Sequence, residues 1–223
     1  MGNKLLIFSF LLLFSSCRST YPAKSTDLLN GAFEKFDIAG YINKSKNQKG
    51  DTHANDFLLK NGTRIERSGN ERMGYAEEII PAEPQFYKIM KTFYPSGNIR
   101  EKGKMFGNIS LGANGVKVGK WYYFDEQGIL KAAVDEDKKF GNMGYQEVIA
   151  LMEKEGMIKQ LYEKNRKNLR ADFLEESSGK KIWKVEIITA HLSNAYDKGW
   201  EYQIDANTGK VLQKRALEIA YVE

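Results

Sequence analysis

The side chains best suited to acid–base or metal chemistry are two histidines, His53 and His191, each in a polar stretch and far apart along the chain. A protein metal site draws on three or four convergent donors. The sequence contains neither a His-Glu-x-x-His nor a Cys-x-x-Cys motif that would supply them. The pattern therefore predicts no metal ligand and no catalytic base at either histidine.

The acidic residues offer little more for catalysis. Adjacent carboxylates occur at Glu77 and Glu78, at residues 135–137, and at Glu175 and Glu176. Neighbours on a strand point to opposite faces, so these groups make poor acid–base pairs and are expected on a solvated surface. No Gly-x-Ser-x-Gly motif marks a nucleophile. We expect a protein that is not an enzyme and needs no cofactor.

The beginning of the chain has the layout of a secretory signal peptide. Lys4 supplies a positive charge, residues 5–14 are apolar, and a Ser-Ser-Cys sequence ends at Cys17. The apolar run is shorter than the roughly 20 residues that cross a bilayer as a helix. Small residues before a cysteine resemble the lipobox of bacterial lipoproteins, although Phe14 stands where Leu is preferred. The resemblance implies removal of residues 1–16 and lipid attachment at Cys17. The alternative is an ordinary secretory signal with an incidental cysteine.

A lipid at Cys17 also accounts for the lone thiol. Cys17 is the only cysteine, and an odd thiol in an exported protein needs an explanation. In lipoproteins of the type it resembles, the cysteine carries a diacylglyceryl group and an N-acyl chain such as palmitate, and several chains together anchor a protein durably. Residues 17–26 form a polar tether. Arg18 in place of Asp slightly favours the outer membrane, by resemblance to sorting rules. We expect a lipid-anchored protein of the cell envelope, on the periplasmic face or the cell surface.

The part of the chain after the signal can build a substantial core. About 207 of the 223 residues remain, enough for one large or two small domains. Apolar residues make up 42% of the sequence, with twelve Phe and twelve Tyr, which excludes a wholly disordered protein. The formal net charge of +5 is modest, and no nucleic-acid recognition motif accompanies it. No nucleic-acid partner is expected.

Positive charge concentrates in residues 154–170, which hold six basic residues against two glutamates. Such a stretch could attract anionic lipid headgroups or an acidic partner. The alternative is the solvated face of a helix.

Residues 57–142 consist of short β-like runs separated by glycine turns. The turn glycines are Gly62, Gly97, Gly128 and Gly141. This spacing predicts an antiparallel meander. Upstream, residues 27–41 could make one short helix or two short strands, and residues 43–55 are polar and predict a surface loop.

The meander contains an internal repeat. Residues 93–99 match residues 123–130, with one extra residue in the second turn, and residues 58–63 suggest a degenerate third copy. The alternating aromatic and polar residues of both copies favour strands that pack on one face.

The segment at residues 119–128, GKWYYFDEQG, resembles a MORN-type repeat, whose pattern is roughly Gly-x-Trp-x-Tyr-Tyr-x-x-x-Gly. Residues 93–107 resemble the preceding copy. A single hairpin of this kind buries little surface, so repeats stack to complete a core. The resemblance implies a MORN-like β-meander domain over residues 27–142.

After Gly144 the periodicity becomes helical. An amphipathic stripe is formed by Tyr145, Val148, Ile149 and Met152. It predicts a helix that ends near Gly156. A second helical stretch is predicted over residues 157–176, with Leu161, Leu169, Phe173 and Leu174 towards a core.

Two strands with period-two alternation follow, at residues 181–187 and 200–205. The polar residues 191–199 are predicted to form the loop between them. Residues 205–212 predict a hairpin, because Asp205 can cap a turn with its side chain while Gly209 takes the strained position.

The ending from residue 202 to 212 resembles a PepSY-type domain, which finishes on Tyr-x-x-Asp-Ala-x-Thr-Gly-x-Val-Leu. The resemblance implies a helix followed by a small antiparallel sheet over residues 145–215. Together the two halves predict an α+β fold, in which an antiparallel meander of MORN-like hairpins precedes a helix and a small antiparallel sheet.

The aromatic residues of the repeat suggest a binding surface. The candidates are Phe93, Tyr94, Trp121 and Tyr123. Residues that alternate along a strand cannot all enter one core, so some are expected to form an outward aromatic patch. The alternative is that neighbouring elements cover both faces of the sheet.

These features favour a non-catalytic, lipid-anchored binding module with a protein partner in the envelope. Some relatives of the repeat are antitoxins or immunity proteins, and PepSY-type domains are associated with restraining peptidases, so the resemblances imply neutralisation of a toxin or hydrolase. The alternative is a structural envelope protein that holds membrane or cell-wall material.

Overall fold

The computed structural model describes residues 29–47, 55–107, 115–164, 168–193 and 196–220. The predicted signal peptide, Cys17, the tether at residues 17–26 and His53 lie outside the described residues. A seven-stranded antiparallel sheet precedes a four-stranded one, with helices between them, so the predicted α+β class is confirmed. Within the described ranges, no helix is long and apolar enough to cross a membrane.

The helices are α1 (Ile38–Asn47), α2 (Tyr145–Lys154) and α3 (Met157–Lys164), with a 3-10 helix at Glu136–Lys139. The first sheet contains β1 (Phe57–Leu58), β2 (Arg64–Asn70), β3 (Gly74–Ile80), β4 (Tyr87–Phe93), β5 (Ile99–Phe106), β6 (Val116–Phe124) and β7 (Leu130–Asp135). The second contains β8 (Leu169–Glu175), β9 (Lys181–Ser193), β10 (Tyr196–Asp205) and β11 (Val211–Ala220).

The first sheet is the predicted meander, because its strands neighbour one another in sequence order from β1 to β7. The turns after β4 and β6 share one hydrogen-bond pattern: the backbone N–H of the first turn residue donates to the backbone carbonyl of the fifth turn residue. The pairs are Tyr94 with Asn98 at 2.8 Å and Asp125 with Ile129 at 3.0 Å. Gly97 and Gly128 have φ of 83° and 84°, a region open chiefly to glycine.

The same turns correct the predicted alignment of the repeat. One strand ends at Phe93 and the other at Phe124, and each following strand begins six residues later, at Ile99 and Leu130. The two turns therefore have equal length, and the predicted extra residue in the second turn is wrong. Phe93 corresponds to Phe124 rather than to Tyr123.

Residues 29–37, here called the N-terminal strap, cross one face of the meander outside the named helices and strands, before α1 begins. Leu29 packs against Ile79 and Ile89, and Phe36 stacks on Tyr75 with ring centroids 4.7 Å apart. The strap is followed by helix α1, which extends to Asn47, so the loop predicted at residues 43–55 is wrong for residues 43–47.

The helical segment after the meander is partly as predicted. Helix α2 begins after Gly144 and ends before Gly156, with Val148 and Met152 buried, which confirms the predicted stripe. The second helix is shorter than predicted. It ends at Lys164, and Leu169 begins strand β8, so a helix over residues 157–176 is wrong.

The second sheet has the order β11-β10-β9-β8. Strand β9 continues to Ser193 and β10 begins at Tyr196, so the loop predicted at residues 191–199 is wrong and most of it is strand. The hairpin after β10 is confirmed, because Asp205 Oδ1 accepts the backbone N–H groups of Asn207 and Thr208 at 3.0 and 2.8 Å.

One hydrophobic core joins the two sheets. The ring of Phe106 in β5 lies 5.4 Å from Tyr145 of α2 and 5.8 Å from Trp183 of β9, between centroids. The largest cluster of buried apolar residues contains members of both predicted domains, residues 27–142 and 145–215. The two halves are thus coupled through packing.

Candidate interaction surface

The four aromatic residues predicted to form a binding surface fall into two groups. Phe93 and Trp121 are buried, with 3% and 1% of their surface exposed. The prediction of an outward patch is therefore wrong for these two, because Phe93 packs under Phe36 of the strap and Trp121 under its neighbours on the sheet. Tyr94 and Tyr123 remain partly exposed.

Trp121 is enclosed by three contacts, two from the adjacent strand β5 and one from Lys117 on its own strand. Its Nε1 donates to the carbonyl of Lys104 at 3.0 Å, and the Lys117 ammonium lies 3.9 Å from the ring. Gly103 supplies the third, since a β-carbon there would overlap the indole. The indole N–H thus has a hydrogen-bond acceptor, and the contacts together hold the ring against the sheet.

The two tyrosine hydroxyls are engaged within the fold. Tyr94 Oη donates to the carbonyl of Phe124 at 2.9 Å and so links the two equivalent turns. Lys117 Nζ donates to Tyr123 Oη at 3.2 Å and to Glu101 at 2.8 Å. Although burial acts to lower it, the pKa of Lys117 is raised, because both hydrogen bonds favour its charged form. This group braces β5 against β6.

A second group of charges fastens the N-terminal strap. Glu34 accepts hydrogen bonds from Lys91 at 2.6 Å and Lys102 at 2.5 Å, and Lys102 also donates to the carbonyl of Ala32 at 2.7 Å. Burial acts to raise the pKa of Glu34, but the hydrogen bonds from the two lysines outweigh it and hold that pKa below the ordinary value. The carboxylate therefore stays ionised and clamps the strap.

The acidic pair Glu77 and Glu78 points to opposite faces, as expected, but its predicted exposure is wrong for both residues: the Glu77 side chain is only 12% exposed, and Glu78 is more deeply buried. That side chain is buried and accepts a hydrogen bond from the buried Lys88 at 2.7 Å. On the other face, Glu77 pairs with Arg67 at 2.8 Å.

Across the residues that the structure describes, no group of three or more His, Cys, Asp or Glu could hold a metal ion. His191 lies in β9, opposite Asp197.

The β6–β7 turn presents apolar side chains on the surface. Ile129 is 61% exposed, Phe33 49% and Leu130 43%, and we call these three residues the turn patch. The Phe33 ring lies so close to the backbone of Gly128 that a β-carbon at position 128 would overlap the ring. Leu130 lies against Gly31 of the strap. The patch continues along β7, whose residues are all exposed.

Comparison with the equivalent turn after β4 shows why the sequence did not predict this patch. Ile129 occupies the position of Asn98, and Leu130 that of the fully buried Ile99. The sequence signal was the replacement of a polar turn residue by isoleucine. The aromatic residues of the repeat are a stronger apolar signal, but Phe93 is buried under the strap and Trp121 within the sheet.

The fold and this surface define an α+β protein with an exposed apolar patch on a β-meander. Comparison with protein-family models, curated proteins and solved structures finds no match to this chain. The MORN-type and PepSY-type resemblances stay predictions.

Proposed function

We propose that this chain is a non-catalytic, lipid-anchored envelope protein that binds a protein partner through the turn patch. The observation that carries the proposal is the exposure of Ile129 and Leu130 at one turn, with the exposed Phe33 packed on the backbone of that turn at Gly128. Exposed apolar side chains gain free energy when a partner removes them from water, and contiguous ones mark interaction sites.

The turn that carries the patch is held by hydrogen bonds. Asp125 Oδ1 accepts the N–H groups of Gln127 and Ile129 at 3.1 and 2.9 Å. Asn98 Nδ2 donates to the carbonyl of Glu126 at 2.8 Å and ties the turn to its neighbour. A preformed loop loses little conformational entropy on binding, which suits it to a tight complex.

The partner class comes from the resemblances. A MORN-like meander and a PepSY-like sheet are consistent with an immunity or antitoxin-like role, or with restraint of a peptidase. In either role we expect Ile129 to enter an apolar pocket of the secreted toxin or hydrolase, with Phe33 and Leu130 on its rim.

The test is affinity capture from envelope extracts of the native host with the full lipidated chain. Ile129→Ser and Phe33→Ser should each reduce the captured partner at least tenfold. The matched control is Met73→Ser, because Met73 is 77% exposed in the turn between β2 and β3, away from the patch. Equal recovery with Ile129→Ser and Met73→Ser would remove the turn patch from the binding surface.

A structural envelope protein is the second candidate, and the exposed Lys154 and Lys159 beside the buried face of α2 and α3 favour it. Attraction of these lysines to anionic envelope material would be screened by salt. This candidate predicts that a chain carrying Cys17→Ala cofractionates with envelope material at low salt and is released at high salt.

A further inference from the structure

Strand β11 ends the second sheet and pairs with β10 on one side. Within the described residues, no strand occupies its other edge. The pairing is irregular near Leu212 and regular from Gln213 to Ala220, and most of these side chains are exposed. The outer edge of a strand of this length offers backbone N–H and C=O groups to any strand that can match it.

The side chains of β11 decide which strand can match it. Lys214 and Glu218 lie four residues apart on one face of the strand, with Ala216 between them, and they are 38% and 59% exposed. Charges on an edge strand oppose indiscriminate pairing. They favour a partner that places a carboxylate opposite Lys214 and an ammonium opposite Glu218.

We propose that β11 pairs in antiparallel fashion with β11 of a second copy of this chain, about a twofold axis at Ala216. In this register Lys214 lies opposite Glu218 of the second copy, and the reverse pair forms on the other side of the axis. Alanine faces alanine at the centre, where a small side chain lets the strands approach. The two four-stranded sheets become one sheet of eight strands.

Neighbouring registers are less favourable. A twofold axis at Arg215 sets two guanidinium groups opposite each other, which destabilises a strand pair. An axis at Leu217 places Lys214 opposite Ala220, and both charge pairs are lost. Within the monomer, Lys214 contacts Glu155 at 2.9 Å and Glu218 contacts Lys198 at 3.4 Å. The second copy thus extends an existing row of alternating charge.

A disulfide trap tests the register in membranes of the native host, with the full chain. Ala216→Cys should give a covalent dimer under mild oxidation, because the two positions face each other. Lys214→Cys is the matched control, since its counterpart lies four residues along the strand, at about 13 Å, beyond disulfide reach. The wild-type chain, whose single cysteine is Cys17, is the blank control for this cross-link. No dimer with Ala216→Cys, or equal linkage with Lys214→Cys, would overturn the register.

Charge reversal tests the pairing without a new thiol. We expect wild type in detergent to have twice the protein mass of one chain, Lys214→Glu and Glu218→Lys each to be monomeric, and the double reversal to be dimeric again. Lys131→Glu on β7 is the control for a charge change elsewhere. A monomeric wild type, or a dimer insensitive to both single reversals, would rule out β11 as the interface. This inference is independent of the turn patch, which Ile129→Ser tests separately.

Discussion

The indole of Trp121 lies against the backbone of Gly103 on the neighbouring strand, in space that any side chain at position 103 would occupy. The pairing of β5 with β6 shifts register between Lys102 and Lys104, where this contact occurs. A glycine on one strand and a tryptophan on the next are therefore one structural unit.

Gly103→Ala should lower the free energy of unfolding by about 2 kcal/mol, the usual cost of overpacking a filled site. Denaturant unfolding followed by tryptophan fluorescence measures it. The control is Gly144→Ala, where the nearest atom to a new β-carbon is the end of the flexible Glu147 side chain at 3.1 Å. Wild-type stability and emission in Gly103→Ala would show that the indole does not depend on this glycine.

Glu34→Gln should destabilise the protein by about 3 kcal/mol, because it leaves the buried Lys102 without its carboxylate, while Lys91 keeps Glu77 at 3.7 Å. Chemical unfolding at neutral pH measures the change, with Glu126→Gln at an exposed turn position as the control. A similar stability for both variants would mean that the clamp contributes little.

The same carboxylate predicts a dependence on acid. The pKa of Glu34 is lower in the folded protein than its ordinary value, so its contribution is complete above that ordinary value and is lost as pH falls through the folded pKa. The difference in unfolding free energy between wild type and Glu34→Gln should narrow as the solution is acidified. A difference that stays constant down to low pH would contradict the lowered pKa.

Asp205 should titrate below the usual range of an aspartate. Hydrogen bonds from the backbone and hydroxyl of Thr208 favour its ionised form and lower its pKa. The stability that this cap gives the β10–β11 hairpin is therefore lost as pH falls through the folded pKa. Carboxyl NMR titration measures the value, and Thr208→Val should move it part of the way back. An unshifted Asp205 would argue against the cap.

The anchor is tested by the intact mass of the chain from membranes of the native host. We expect a species that begins at Cys17 and carries acyl chains, and its loss with Cys17→Ala. An unmodified chain that begins at Met1 in the soluble fraction would contradict lipid attachment, and it would favour an antitoxin-like role inside the cell.

Local sequence signals predicted the turns and the first helix after the meander. Gly97 and Gly128 mark turns because few other residues adopt a positive φ, and α2 follows from the spacing of its apolar residues. Strand β8 was missed because Leu169 and Phe173 fit both a helical and an alternating pattern. Its strand conformation comes from pairing with β9.

The candidate surface was harder to predict, because burial of the aromatic residues depends on distant segments. Phe93 is covered by Phe36, and that contact cannot be inferred from either residue alone. The pair formed by Lys88 and Glu78 likewise joins two strands in the interior. The strap covers Ile99 completely but covers the equivalent Leu130 only in part. Leu130 is therefore exposed.

The most direct test of the central claim places a photoreactive amino acid at position 129 of the lipidated chain in living cells of the native host. Irradiation should give one main adduct of defined mass with another envelope protein. The same probe at position 73, which is more exposed than position 129 (77% against 61%) but lies outside the turn patch, should not give it. No adduct at position 129, or the same adducts at both positions, would contradict a binding module that acts through this surface.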